Sequence, residues 1–215
     1  MNPKYVGNAY TGATVHKYYA NLIGIEHPTR SGVPHTNTVV FIGGLADAVT
    51  NVPYVKPLAD ALDKSGWGVV ELLISSSLAG WEPESKEQDA TEIEMAVKYL
   101  TTKLKDGGLP NKQKIVLLGH AVGCLDIMHY LTSTRDLEES FEKINVPLLF
   151  LMNGQRGRLG YQQKILDRYE DLVKCGYWSK LSGVVDGASQ NVGRLSKEGA
   201  VDVLVEKVKG FVRGI

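Results

Sequence analysis

Apolar and polar positions follow two different periods along this chain, and the change of period marks its elements. Residues 11–27 alternate at every second position, which predicts two antiparallel strands. Further on, short apolar runs predict buried strands, and apolar residues three or four positions apart predict amphipathic helices. The predicted strands are 38–42, 67–74, 115–118, 146–152 and 181–185. The predicted helices are 55–65, 87–105, 124–133, 161–174 and 197–212.

Strands that alternate with helices predict an α/β fold, with a doubly wound, mostly parallel sheet and helices on both faces. A length of 215 residues fits one domain, and we expect it to span 1–215. In such a sheet the functional site lies at the carboxyl ends of the strands. Those ends are expected at 43–47, 75–81, 120–122, 153–158 and 186–191.

The most informative stretch runs from Ile115 to Cys124, where an apolar strand passes through Gly119-His120-Ala121-Val122-Gly123 into a helix. The spacing is that of a nucleophile elbow, G-x-S-x-G, in which two glycines let strand and helix approach closely around a strained residue. Alanine stands where the serine is expected. Ala121 therefore preserves the expected turn but has no oxygen that could attack a carbonyl.

Composition narrows the classes of partner and compartment. The 24 basic and 24 acidic residues cancel, so neither nucleic acid nor an anionic membrane is suggested. No apolar run approaches ~18 residues, and no signal-like pattern opens the chain. The two cysteines, Cys124 and Cys175, favour a reducing compartment. We therefore predict a soluble, cytoplasmic protein. His16, His27 and His35 lack ligand spacing, so we expect no metal and no cofactor.

Several stretches of the chain carry a family resemblance. They are Val40–Leu45, Val52–Ala59, Gly119–Tyr130, Pro147–Gly154 and Gly183–Asn191. Together they resemble the fungal DUF1749 branch of the α/β-hydrolase superfamily, which includes siderophore esterases. The resemblance implies an esterase-like scaffold with a Ser–Asp–His triad. It also implies a further strand and a cap where this chain has only residues 134–145, so we expect a reduced cap and a sheet one strand short.

The chain departs from that family pattern at every catalytic position. Ala121 stands at the nucleophile position, Arg156 at the acid and Gln190 at the histidine. Alanine cannot attack a carbonyl, arginine reverses the charge of the acid, and glutamine cannot accept a proton near neutral pH. Because the members of a triad act as a unit, we expect no intact catalytic triad.

An oxyanion hole does not depend on those side chains, because its donors are backbone N–H groups. The resemblance places them at Leu45 and Val122, where the N-terminus of the elbow helix favours negative charge. The other residues expected at the pocket or its rim are Asp47, His120, Ser76 and Trp81. Two of them have plainer interpretations, since Asp47 suits the cap of the next helix and His120 suits a structural role.

Three functions remain open on this sequence. The first is a non-hydrolytic α/β-hydrolase-fold protein that binds, cyclises or isomerises a small carbonyl-containing metabolite. The second is a catalytically dead pseudo-hydrolase that acts through protein partners or as a homo-oligomer, which a large apolar surface patch would favour. The third is a siderophore-type serine esterase whose nucleophile has been replaced at Ala121. A concave pocket around Leu45 and Val122 would favour the first.

Overall fold

The structure of the chain, a computed structural model, describes residues 11–44, 47, 49, 51–79, 85–106, 113–154 and 159–215. Within these residues, strands and helices alternate as the sequence predicts. The strands are β1 (Thr14–Tyr19), β2 (Leu22–Glu26), β3 (Asn37–Ile42), β4 (Trp67–Leu73), β5 (Ile115–Gly119), β6 (Leu151–Gly154) and β7 (Gly183–Asp186). The helices are α1 (Val55–Asp63), α2 (Ser75–Ala79), α3 (Ser85–Asp106), α4 (Val122–Thr132), α5 (Leu137–Lys143), α6 (Leu159–Leu172) and α7 (Ala200–Gly214).

The strands are divided between two sheets. The larger sheet has five strands in the order β1-β2-β4-β3-β5, antiparallel at β1–β2 and β2–β4 and parallel where β3 pairs with β4 and β5. The strands β6 and β7 form a separate parallel pair. The break between β5 and β6 lies where the family resemblance implied a missing strand.

Helices cover both faces of the larger sheet, as predicted. Along β3 the side chains of Val39 and Phe41 pack with α1 and α7, whereas those of Val40 and Ile42 pack with α3 and α4. All four are almost fully buried, and each such side chain contributes roughly 1.5–3 kcal/mol to folding. Because successive side chains enter the cores on opposite faces of the sheet, residues 39–42 of β3 are all apolar.

A third apolar cluster holds the short helix α5, which the sequence interpretation did not predict. The Asp136 carboxylate accepts a hydrogen bond from the backbone N–H of Glu139 at 2.9 Å and caps the helix. Phe141 is 1% exposed and stacks on Tyr169 with ring centroids 4.1 Å apart. Aspartate three residues before a glutamate is a helix-start signal, so the sequence did contain a clue to this helix.

Two other boundaries differ from the prediction. The segment from Ser75, expected to be a loop at a strand end, begins the helix α2. The strand predicted over 146–152 begins only at Leu151, and before it Leu148 forms an isolated bridge with Trp178. In this bridge the backbone N–H of Leu148 donates to the carbonyl of Tyr177 at 2.8 Å.

Candidate functional site

The junction of β5 and α4 has the strand–turn–helix geometry that the elbow spacing predicts. Ala121 lies between the two elements with φ 51° and ψ −116°, a backbone conformation that costs a non-glycine residue on the order of 1–3 kcal/mol. A Cβ added at Gly119 would lie 2.6 Å from the backbone N of Cys124, and one at Gly123 would overlap the carbonyl oxygens of Ile42 and Gly43. The glycines therefore permit the close packing that holds Ala121 in this conformation.

The turn presents a backbone donor beside Ala121, the amide of Val122. Ala121 is exposed, and Val122 is the first residue of α4. The amides of Gly123 and Cys124 donate to the carbonyls of His120 and Ala121, at 2.9 and 3.1 Å. Within the described residues, the amide of Val122 has no such partner. Together with the positive end of the α4 dipole, this amide suits a carbonyl or enolate oxygen. Leu45, the other expected donor, lies outside the described residues.

Asp47 brings a carboxylate to the same place. Its backbone N–H donates to the carbonyl of Gly44 at 3.0 Å, and the amide of Gly44 donates back to Asp47 Oδ2 at 2.9 Å. A Cβ on Gly44 would meet Ala121 Cβ at 3.0 Å and Asp47 Oδ2 at 3.1 Å, so these two atoms border one narrow space. The expectation that Asp47 caps the next helix is wrong, because α1 begins at Val55 with Tyr54 at the cap position.

His120 stands between Asp47 and a buried tyrosine. Its Nε2 lies 4.0 Å from Asp47 Oδ2, and its Nδ1 lies 3.3 Å from the hydroxyl oxygen of Tyr54. Burial lowers the pKa of His120 and Asp47 opposes this only in part, so the imidazole is neutral near pH 7. Burial raises the pKa of Tyr54, which keeps its hydroxyl protonated. An ionised Asp47 favours the imidazole proton on Nε2, and Tyr54 then donates to Nδ1.

Sequence interpretation missed Tyr54 at this site. Tyr54 and His120 are separated by 66 positions in the chain, and their rings meet edge to face with centroids 5.7 Å apart. Tyr54 lies within one of the stretches that resemble DUF1749, yet nothing in its local pattern indicates contact with the elbow. Only the packing of α1 against the sheet brings the two side chains together.

The remaining predicted residues are not joined to the elbow by a described contact. Gln190 is exposed in the turn after β7, and no hydrogen bond or ion pair of the described residues links it to Ala121. Ser76 is half-buried in α2, where the neighbouring Ser75 donates from its N–H and hydroxyl to Glu92 at 2.8 and 2.6 Å. Trp81 and Arg156 lie outside the described residues. The structure thus gathers Ala121 and Val122 with Asp47 and His120.

Neither a metal-binding cluster nor a membrane-spanning helix occurs in the described part of the chain. No three or more His, Cys, Asp or Glu side chains there are arranged to hold a metal ion. No helix there is both long and apolar enough to cross a bilayer. The histidines outside the elbow contact carboxylates instead, since His16 and His35 both contact Glu26 and His27 contacts Glu71.

The fold and the elbow define a protein of the α/β-hydrolase fold class. The siderophore hydrolase EstB from Aspergillus fumigatus matches 94% of this chain and 97% of its own, with a TM-score of 0.83 at 16% sequence identity. Est1E from Butyrivibrio proteoclasticus matches 95% of this chain and 98% of its own, with a TM-score of 0.68 at 12% identity. Within that class, the chain belongs to the DUF1749 family, described as a protein family of unknown function, whose model matches residues 1–136 and 132–213.

Relatives in sequence include fungal esterases. The fusarinine C esterase of Aspergillus fumigatus is 33% identical over 121 residues, covering 55% of this chain and 34% of its own length. An esterase of Emericella nidulans is 32% identical over 125 residues, covering 57% and 33%. A UPF0613 protein of Schizosaccharomyces pombe is 36% identical over 126 residues, covering 56% and 39%. The chain thus spans 33–39% of the length of these relatives. The two parts of the family match meet at 132–136, between β5 and β6.

Proposed function

We propose that this chain is a non-hydrolytic α/β-hydrolase-fold protein whose elbow binds a small carbonyl-containing metabolite. The observation that carries the proposal is Ala121, which keeps the strained, exposed turn conformation of an elbow and has no hydroxyl. The neighbouring amide of Val122, at the start of α4, suits a carbonyl oxygen and needs no side chain to do so. Esterases among the fungal relatives support a carbonyl compound as the class of ligand.

Acyl transfer lacks its reacting groups in this proposal. A serine hydrolase needs a nucleophile and a base that deprotonates it, and Ala121 and Gln190 replace both at the positions that the resemblance assigns. Cys124 does not substitute for the nucleophile, because it lies inside α4 and burial raises the pKa of its thiol to about 11. At neutral pH this thiol is almost entirely protonated and a poor nucleophile.

Proton transfer next to a carbonyl fits the remaining groups better. His120 is a neutral imidazole whose Nε2 lies 4.0 Å from Asp47. The amide of Val122 can donate a hydrogen bond to an enolate oxygen. A cyclisation or isomerisation needs only such groups and no covalent intermediate. We therefore propose this reaction class, rather than hydrolysis, for any turnover that the pocket performs.

Restoring the serine tests the proposal directly. We expect Ala121→Ser and the parent protein both to hydrolyse short acyl p-nitrophenyl esters at the background rate, because Gln190 stands at the position of the histidine that would activate the new hydroxyl. Ala61→Ser on α1, remote from the elbow, is the matched control. Turnover by Ala121→Ser well above parent and control would instead support the esterase whose nucleophile was replaced. Binding is tested by titrating hydroxyacetone into ¹⁵N-labelled protein, where the Val122 and His120 amides should shift.

The break in the sheet favours a second candidate function, a catalytically inactive protein that acts as a homo-oligomer. Thr38 donates to the carbonyl of Lys114, and His120 donates to that of Ile42. Ile115, Leu117 and Gly119 therefore direct their backbone groups away from β3, towards the edge of β5 that pairs with no strand of the described residues. The apolar side chains of β5 are only half-buried. Open edges of this kind pair readily with another strand, and a second copy would pair β5 with β5 across a twofold axis.

Light scattering after size-exclusion chromatography measures the oligomeric state and so tests the homo-oligomer. A dimeric parent that becomes monomeric in Leu117→Pro would support it, because proline removes an outer-edge N–H and leaves the bonds to β3 intact. A parent protein that is monomeric at every concentration rules it out.

A further inference from the structure

Asp47 places a negative charge beside the elbow. Its carboxylate is 27% exposed in side-chain area, and its Oδ2 lies 4.0 Å from His120 Nε2. The same oxygen accepts the hydrogen bond from the amide of Gly44 at 2.9 Å. That amide belongs to the loop after β3 and is thus already engaged by an anion of the protein itself. Because Asp47 Oδ2 and Ala121 Cβ border the same space, a ligand beside Ala121 would lie close to this carboxylate as well as to the amide of the next residue, Val122.

Nothing in the described part of the chain neutralises this carboxylate at pH 7. His120 is the group that stands in ion-pair range of Asp47, and burial lowers its pKa so that it is uncharged. No lysine or arginine of the described residues forms an ion pair with Asp47. Like charges a few ångströms apart in a partly buried site repel strongly.

We propose that Asp47 sets the charge selectivity of the elbow, which accepts neutral ligands that carry a hydroxyl or N–H group beside a carbonyl and excludes carboxylates. This inference rests on the proposed binding function. The carbonyl oxygen accepts from Val122, and the adjacent hydroxyl or N–H donates to Asp47. A ligand with a carboxylate in place of that donor brings two negative charges together and leaves no proton between them.

Hydroxyacetone and pyruvate are a matched pair of probes, because both carry a methyl ketone and differ in having a hydroxymethyl or a carboxylate group beside it. Dissociation constants follow from titrations monitored at the amides of Val122 and His120. We expect the parent protein to bind hydroxyacetone about tenfold or more tightly than pyruvate, which corresponds to about 1.4 kcal/mol. In Asp47→Asn the preference should disappear, because asparagine keeps an oxygen for the amide of Gly44 and removes the charge.

Two controls keep the test decisive. Asp60→Asn on α1 removes an acidic group that pairs with Lys56, and should leave the hydroxyacetone-to-pyruvate ratio unchanged. If Asp47→Asn does not fold, the dissociation constants of the parent for both probes are measured at low and at high salt. Added salt screens charge repulsion, so the preference for hydroxyacetone over pyruvate should become smaller.

The possible results distinguish the charge selectivity from the binding function on which it rests. A parent protein that binds pyruvate as tightly as hydroxyacetone would overturn the selectivity and leave the binding function standing. An unchanged ratio in folded Asp47→Asn would overturn the role of Asp47. If neither probe shifts the elbow amides of any variant, the binding function and the selectivity fall together.

Discussion

Replacing Glu26 with glutamine should destabilise the end of the sheet that lies opposite the elbow. Glu26 ends β2, which runs antiparallel to β4, and its carboxylate joins two histidines. Its Oε2 lies 2.7 Å from His16 Nε2, and its Oε1 lies 3.5 Å from His35 Nδ1. His35 Nε2 continues the chain to Asp63 Oδ1 at 2.8 Å. Glutamine preserves the size of the side chain but removes the charge that holds this chain of contacts together.

The magnitude follows from the ionisation of Glu26. Burial alone would raise the pKa of Glu26, but hydrogen bonds and charge from His16 and His35 outweigh burial and lower it from 4.5 to about 2. At about 1.4 kcal/mol per pH unit, the stabilisation at neutral pH is about 3 kcal/mol. Because the folded pKa is the lower one, this stabilisation is complete above the unfolded value of 4.5 and is lost as the pH falls towards 2.

His35 contributes in the opposite direction of pH. The hydrogen bond with Glu26 raises the pKa of His35, burial lowers it, and Asp63 raises it further, with a net increase above 6.5. A raised pKa gives stability that is complete below 6.5 and is lost as the pH rises through the folded value. Removing Glu26 takes away the largest of these causes, so the variant should lose less stability than the parent on the alkaline side.

Urea unfolding of the parent, Glu26→Gln and Glu94→Gln at about pH 7, 5 and 3 measures these effects. We expect Glu26→Gln to lose about 3 kcal/mol near neutral pH and progressively less towards pH 3. Glu94 is about half exposed and pairs with Lys98 on the surface, so its variant should change by less than about 0.5 kcal/mol. A loss at Glu26 that does not vary with pH, or one no larger than at Glu94, would refute the reasoning.

Two further predictions concern the packing of the elbow. Gly123→Ala should lower the free energy of unfolding by about 1–3 kcal/mol or more, because the added Cβ meets the carbonyls of Ile42 and Gly43. Gly160→Ala on α6 is the control and should raise the free energy of unfolding by about 0.5–1 kcal/mol, because its Cβ enters open space. Equal effects of the two substitutions in thermal unfolding would contradict the close packing at Gly123. Iodoacetamide near neutral pH should modify exposed Cys175 in the native protein and Cys124 only after unfolding, because burial raises the pKa of Cys124 to about 11. Peptide mass spectrometry measures both sites, and rapid native labelling of Cys124 would count against the placement of its thiol inside α4.

Local pattern was sufficient for much of the fold. The continuous apolar run of β3 and the spacing of apolar residues on α3 are properties of neighbouring positions, so the chain alone indicates both elements. The same holds for the elbow, whose two glycines and apolar strand lie within ten residues. The helix α5 carries a local signal as well, in Asp136 and Glu139.

Pairing between distant segments is what the sequence did not reveal. The division into two sheets depends on which strand edges pair, and the local sequence of β5 or β6 does not indicate the strand beside it. The late start of β6 has the same origin, since Leu148 pairs with Trp178 far along the chain. The contact of Tyr54 with His120 likewise requires α1 to pack against the sheet. Asp47 accepts a hydrogen bond from Gly44 instead of capping α1, which begins at Val55.

The elbow shows why a fold can be retained where its chemistry is changed. The contacts at Gly119 and Gly123 join backbone to backbone, so any larger residue there disturbs the packing of α4 on the sheet. Ala121 and Gln190, in contrast, are exposed and lie outside the apolar clusters of the core. Substitution at such positions alters function at little cost in stability, whereas substitution of the glycines alters stability first. The fold therefore constrains the glycines closely and the reacting side chains hardly at all, so the function of this chain must be judged from Asp47, His120 and the amide of Val122.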